Sequence, residues 1–247
     1  MGVSGSVVDP GAGVTVAAMQ PYLFPYLGYF QLIAHADVFV VGDDYPWVRS
    51  GWINRNRMMD RGRARLFTLS VSAAPAETPI NERRLTPQYP AERRRLLGRL
   101  RHAYARAPQA REVVPLVEHW LPPGGTDLMA VLDQALEGVC AYLGIDTPRR
   151  LSSERPDRVN RGSARVIHLV HSFGGTRFLN PPGGRAIYRA DEFAAHGIDL
   201  AFLEPELPRY SQDGAREFVP ALSILDVLLR NPRERVQEMV RLGRESA

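Results

Sequence analysis

The sequence predicts an α/β fold organised on a parallel sheet, and three observations carry that prediction. An apolar run from Val14 to Met19 is followed by a loop, a helical stretch from Gly28 to Ala36 and a second apolar run from Asp37 to Val41, the layout of a strand, helix and strand. Between about residues 90 and 145 helical spacing takes over. From residue 150 onward short strands and helices alternate again. Successive strands joined through a helix pair in parallel with a right-handed crossover, so the loop behind the first strand falls at the carboxyl edge of the sheet, where α/β proteins bind ligands.

Each element has a local reason. Val14 to Met19 and Asp37 to Val41 are short and continuously apolar, as strands covered on both faces are. Arg65 to Val71 alternates as a strand, and residues 73 to 90, rich in Pro, Glu and Ala, read as a connection. The helical block runs from Ala91 to about Leu143 and breaks at Leu121-Pro-Pro-Gly-Gly125, after which Thr126 is placed to cap the next helix. Ser163 to Phe173 reads as a helix, Arg177 to Asn180 as a strand running into Pro181-Pro-Gly-Gly184, and Phe193 to Gly197 as the close of a helix. Ile198 to Leu203 is a further strand, and two helices, about Ser223 to Leu229 and Pro232 to Leu242, end the chain. No internal repeat is visible. Residues 1–13 read as a flexible leader and 14–247 as a single domain, with the block at about 90–145 as a helical insertion or subdomain.

Composition narrows the chemistry. At 247 residues, 45% hydrophobic and 23% charged, the chain is of globular type, and no apolar run approaches the roughly 18 to 20 residues needed to span a bilayer. The start lacks the basic and apolar regions of a secretory signal, so a soluble, cytoplasmic protein is expected. Met1-Gly2 with Ser6 formally fits an acylation pattern, but a loose leader explains it. The single cysteine, Cys140, sits at helical spacing with Val131, Leu136, Val139 and Leu143 and reads as a core thiol. All 31 basic residues are arginine. Without lysine there is no Walker-type phosphate loop and no pyridoxal phosphate Schiff base, so no cofactor is expected. A net charge of +4 is modest, and the run Glu92 to Arg101, with leucines at helical spacing, reads as a solvated helix face rather than a nucleic-acid surface. Histidines 35, 102, 119, 168, 171 and 196 show no metal-ligand spacing.

Several segments can carry chemistry. Gln20 to Phe30, QPYLFPYLGYF, holds five aromatics, two prolines and a glycine directly behind the first strand. The prolines fix the backbone, Gly28 permits close approach, and Gln20, Tyr22, Phe24, Tyr26 and Tyr29 form a candidate ligand platform; a plug of rings over the sheet end is the alternative. Trp52, Asn54, Arg55 and Asn56, behind the paired Asp43-Asp44, offer a guanidinium fork for an anion or a turn held by side chains. Asn180, Gly183 and Gly184 with Tyr188 can cradle an anion on backbone amides or form a tight turn. Ser152-Ser153 and the pair Tyr210 and Gln212 are weaker candidates.

The series QPYLFPYLGYF, DD with GWINRNR, Ser152-Ser153, NPPGG with Tyr188, Tyr210-Ser-Gln212 and FVPALSILDVLL at 218–229 resembles the WbqC-like family across nearly the whole chain. The resemblance implies a role in attaching glycine or a related acyl group to an amino sugar in bacterial O-antigen or natural-product biosynthesis. Two positions depart from the family pattern: Pro46 stands where a glutamine is frequent, and a lysine expected near the Ser163 helix is missing, with Arg161 the nearest cation. The opening layout is also similar to nucleotidylyltransferase-type enzymes and pantothenate synthetase, which implies a Rossmann-like sheet, although Tyr26-Leu-Gly-Tyr29 replaces their H-x-G-H motif.

An amide-forming transferase is therefore the leading expectation, with Asp43, Asp44 and Tyr29 as candidate catalytic groups and either aspartate as the base. A small-molecule amine, an amino sugar or aminocyclitol, is the expected acceptor, and an acyl or aminoacyl carrier protein is a candidate partner. Nucleic acid is not. The alternatives are an ATP-dependent amide ligase, the only case in which ATP is a cosubstrate, and a noncatalytic module that binds a sugar nucleotide or carrier protein.

Overall fold

A computed structural model of the chain describes residues 13–157, 161–212 and 214–247. The leader, Gly13 apart, lies outside the described residues, as does the acylation pattern at Gly2. The opening unit consists of β1 (Thr15–Met19), α1 (Leu27–Ala34) and β2 (Val38–Val41), with β1 and β2 pairing in parallel from Val16 and Val38 onward. A hairpin follows, β3 (Arg55–Asp60) and β4 (Arg63–Thr68). The sequence pointed only to the second of these strands. Asp60 pairs with Arg63 across a two-residue turn in which Arg61 and Gly62 both hold positive φ, 51° and 71°, as the turn that follows strand twist demands.

The helical block comprises α2 (Tyr89–Ala103), α3 (Ala110–Trp120) and α4 (Leu128–Leu143). The cap of α4 is Asp127, one residue beyond the expected Thr126, its carboxylate accepting the Ala130 N–H at 3.1 Å. Cys140 is buried in α4, and burial pushes its thiol up to about 12. The chain continues through β5 (Arg149–Leu151), α5 (Gly162–Ser172), β6 (Arg177–Asn180), α6 (Ala190–Ala194), β7 (Asp199–Glu204), α7 (Ile224–Arg230), α8 (Arg233–Val240) and β8 (Arg244–Ser246). Among these, β5 and β8 are three-residue strands with little apolar content, too short to stand out from the flanking loops.

The main sheet runs β5-β2-β1-β6-β7-β8, with the first five strands parallel and β8 antiparallel at one edge. The chain moves outward from β1 to β2 and β5, then crosses through α5 to β6 on the other side of β1. Alternate residues of each strand face opposite layers. Ala17, Phe39, Val41, Leu179 and Leu203 join the core built with α1 and the helical block, whereas Val16, Val40, Phe178, Leu200 and Phe202 pack with Val166, Ile167 and Phe193 of α5 and α6. Helices on both faces explain why the strands read as unbroken apolar runs. Phe39 and Phe178 are fully enclosed, and truncating either to Ala costs about 3–5 kcal/mol. No helix among the described residues is long and apolar enough to cross a membrane.

Candidate functional site

The carboxyl ends of β2, β5 and β6 and the start of α5 enclose a cavity of ≈ 770 Å³. Its wall takes Asp44, Tyr45 and Pro46 from behind β2, Ser153 and Asp157 from behind β5, Arg161, Gly162 and Arg165 from the head of α5, and Tyr188 from behind β6. Glu77, Pro79, Asn81 and Glu82 close it from the segment that reads in sequence as a plain connection.

That connection is held by named contacts. The buried Arg83 donates from Nε to the Thr78 carbonyl at 3.2 Å and from one terminal nitrogen to the Pro75 carbonyl at 2.7 Å, fixing the bend that carries Glu77. Trp47 stacks on its guanidinium, 5.5 Å from ring centroid to Cζ. The Ile80 and Asn81 N–H groups donate to the Tyr45 and Asp43 carbonyls at 3.0 and 2.9 Å, which docks the bend against the loop behind β2.

The paired aspartates divide into two roles. Asp43 is 2% exposed and is not part of the cavity wall. One of its oxygens accepts the Ser153 N–H at 3.0 Å and faces the Ser152 hydroxyl at 3.1 Å; the other accepts the Ser153 hydroxyl at 2.7 Å and the Asn81 amide at 3.0 Å. Asp44 borders the cavity. One oxygen accepts from Ser152 in a very short contact, and the other accepts from the Arg165 guanidinium at 2.8 Å. Ser152 has a single hydroxyl hydrogen, and since Asp43 is already satisfied by Ser153, that hydrogen belongs with Asp44. Arg165 is buried and also donates to the Arg155 and Ser152 carbonyls at 2.7 and 3.0 Å, so its fork fixes the Asp44 carboxylate in one orientation.

Two tyrosines face the cavity. The Tyr45 ring lies over Gly42, where a Cβ would approach within 2.9 Å of it, and burial first, with the nearby Tyr188, pushes its phenol up to about 12. Tyr188 packs edge-on against Phe178 and Phe193, centroids 5.6 Å away in both cases, and burial raises its phenol as well.

The WbqC-like protein family model matches residues 20–238. The chain belongs to that family. It is also similar to the uncharacterized protein Rv1507c of Mycobacterium tuberculosis, 27% identical over 220 residues that cover 86% of this chain and 92% of that protein. No solved structure matches the chain.

Of the residues singled out in this WbqC-like sequence, the cavity gathers Asp44, Ser153, Arg161 and Tyr188, with Asp43 and Ser152 directly behind them. The aromatic platform is corrected. Phe24 and Tyr29 are sealed in the core, Tyr29 edge-on to Tyr22 and Phe39, with its hydroxyl donating to the Gln20 carbonyl at 3.1 Å. Burial raises the Tyr22, Tyr26 and Tyr29 phenols; Tyr22 accepts the Tyr26 N–H at 2.9 Å, and the Tyr26 ring covers Gly28. Gln20 reaches the Pro46 carbonyl at 3.4 Å. None of these residues lines the cavity. A strained Phe24 backbone, φ 45°, is held because its carbonyl accepts from Asn56 at 2.6 Å and from Ser223 at 2.9 Å.

The expected anion fork at Arg55 is also corrected. Its Nε donates to the Gly51 carbonyl at 2.8 Å and a terminal nitrogen donates to Ser50, Asn54 donates to the Leu69 carbonyl at 2.7 Å, and Trp52 stands outside the cavity. The glycine turn serves the fold: the Gly184 N–H donates to the Pro181 carbonyl at 2.9 Å, Asn180 fills the space where a Gly184 Cβ would go, and Gly183 is exposed. Tyr210 and Gln212 lie elsewhere, on the fully buried Asp226, which accepts from the Tyr104 and Tyr210 hydroxyls at 2.5 and 2.6 Å. Tyr45, Arg165, Glu77, Asn81 and Glu82 were not anticipated as site residues. The signal for Arg165 was present, because it lies one helical turn beyond Arg161 at the head of a legible helix.

Proposed function

We propose that this chain is a transferase that forms an amide, passing an activated glycyl, aminoacyl or acyl group to the amine of an amino sugar or aminocyclitol beside Asp44. The observation that carries this is the division of charge in one cavity: Arg161 and Arg165 stand at the head of α5, and Asp44, Glu77, Glu82 and Asp157 occupy the remaining wall. The Arg161 guanidinium suits the phosphate of a nucleotide or carrier arm, Arg165 being engaged by Asp44 and the Arg155 and Ser152 carbonyls, and carboxylates suit an amine that must be held and deprotonated. The strand order supports a Rossmann-like layout. Counted along the parallel strands of the sheet it is third, second, first, fourth, fifth, the order of doubly wound nucleotide-binding folds.

In this mechanism Asp44 is the base and Arg165 a positioning residue that holds its carboxylate. The amine nitrogen attacks the acyl carbon, the new C–N bond forms as the bond to the thiolate or phosphate leaving group breaks, and the amine proton passes to Asp44 and then to the leaving group. Asp43, Ser152 and Ser153 hold the loop that presents Asp44. Tyr45 and Tyr188 supply the flat wall for the acceptor ring, in place of the Gln20 to Tyr29 loop.

The test is turnover by the purified protein of a soluble activated donor with a panel of amino sugars, followed by mass spectrometry. Amide product from parent and a loss of about 100-fold or more in Asp44→Asn support the assignment. Parent-level product from Asp44→Asn overturns it. Product formed only with ATP, and with AMP or ADP released, identifies the ligase instead, and product that needs a second protein identifies a binding module.

A further inference from the structure

We propose that the outer face of the β3–β4 hairpin docks a small acidic carrier protein that brings the activated acyl group to the cavity, an inference that rests on the transferase function above. Residues 45–76 hold six arginines, Arg49, Arg55, Arg57, Arg61, Arg63 and Arg65, against the single acid Asp60. The whole chain has a net charge of only +4, so its positive excess is concentrated in this segment.

The same segment concentrates exposed apolar surface. Val48, Trp52 and Leu66 are 50%, 45% and 46% exposed, three of the five large exposed hydrophobics among the described residues. Strand register places Leu66 on one face with Arg55 and Arg57, while Arg63 and Arg65 alternate to the other. Arg57 is paired across the hairpin with Leu66 and Arg55 with Thr68, on the face opposite the buried Asn56, Met58 and Phe67. The Arg55 and Arg57 guanidiniums each lie 5.6 Å from the Trp52 ring centroid. Arg99 of α2 donates to the Leu66 carbonyl at 3.1 Å and extends the rim. An exposed tryptophan flanked by two guanidiniums, with an exposed leucine on the same hairpin face and Arg99 at its edge, is the composition of a protein-binding centre, and its charge selects an acidic partner.

A phosphate backbone fits less well. Arg55 spends its Nε and a terminal nitrogen on the Gly51 and Ser50 carbonyls, so its fork is not open to a phosphate, and Leu66 and Val48 have no counterpart on a sugar–phosphate chain. The face is also close to the cavity along the chain. Pro46 lines the cavity and Trp52 follows six residues later, which limits their separation to roughly 20 Å, within reach of a flexible prosthetic arm.

The test titrates the full chain with a phosphopantetheinylated bacterial acyl carrier protein by calorimetry at low and high salt. Binding that weakens about tenfold or more at high salt, and about tenfold in Trp52→Ala, Leu66→Glu and Arg49→Glu, is expected. The variants should unfold at the parent temperature and still turn over a small soluble thioester. Absence of binding, or parent-level binding by all three variants, overturns the proposal. So does tighter binding of unacylated tRNA lost in the same variants, which would assign the face to nucleic acid. If the chemistry rather than the docking is wrong, the parent fails on the soluble thioester while carrier binding and its loss in the variants persist.

Discussion

Replacing Asp43 by Asn tests whether this carboxylate organises the cavity from behind. The side chain is 2% exposed, and its oxygens face the Ser153 N–H, the Ser153 hydroxyl, the Asn81 amide and the Ser152 hydroxyl within 3.1 Å. An asparagine oxygen can keep the Ser153 N–H, whose direction is fixed by the backbone. Its NH2 then faces the Ser153 hydroxyl, which can rotate, and Asn81, which must flip. Two or three charge-assisted bonds become neutral ones, each weaker by about 1 kcal/mol, for a loss of about 2–3 kcal/mol. For a chain of this length that lowers the melting temperature by about 4–12 °C. Asp43→Ala leaves the donors unpaired and falls further, by about 3–6 kcal/mol. Asp44→Asn keeps an oxygen for the Arg165 guanidinium but removes the charge opposite this buried group, and costs about 1–3 kcal/mol. Calorimetric unfolding of the three variants reads these losses directly. Melting of Asp43→Asn and Asp43→Ala together with the parent would refute the buried-hub role.

Three further outcomes are expected. Gly42→Ala places a methyl within 2.9 Å of the Tyr45 ring, so the folded variant should bind acceptor about tenfold more weakly, measured by calorimetry, with little change in melting temperature. Cys140 should stay inert to a thiol reagent near neutral pH until the chain unfolds. Its folded value of about 12 lies above the ordinary 9.0, so its contribution to stability is complete below 9.0 and lost as pH rises towards 12, and denaturant titrations of Cys140→Ala should show a flatter alkaline slope than the parent. Asp226→Ala strands the Tyr104 and Tyr210 hydroxyls in the core and should destabilise the chain by about 3–5 kcal/mol in denaturant titration, far more than a surface substitution.

The fold was legible where burial imposes a period. β1, β2, β6 and β7 are covered by helices on both faces, so each reads as an unbroken apolar run, and α2, α4 and α5 keep a helical stripe. β3 was not, because Arg55 and Arg57 face outward over Trp52 and mask the alternation of Asn56 and Met58 beneath. The site was legible in part for a related reason. Asp43-Asp44 and Ser152-Ser153 lie directly behind strands, but sequence cannot tell which aspartate is enclosed, since that depends on Asn81 arriving from 38 residues away. The aromatic loop misled because rings that plug a sheet end and rings that hold a ligand share one composition, and only packing against Phe39 separates them. Glu77 and Glu82 were hidden in a proline-rich connection whose shape is imposed by the Arg83 fork.

The most direct test of the central claim is a crystal of the protein soaked with an amino-sugar nucleotide. The sugar ring should lie against Tyr45 and Tyr188, its amine within hydrogen-bond distance of the Asp44 carboxylate, and its phosphates on the side of Arg161. Density for the ligand anywhere that leaves Asp44 untouched, with the cavity unliganded at saturating concentration, would contradict it.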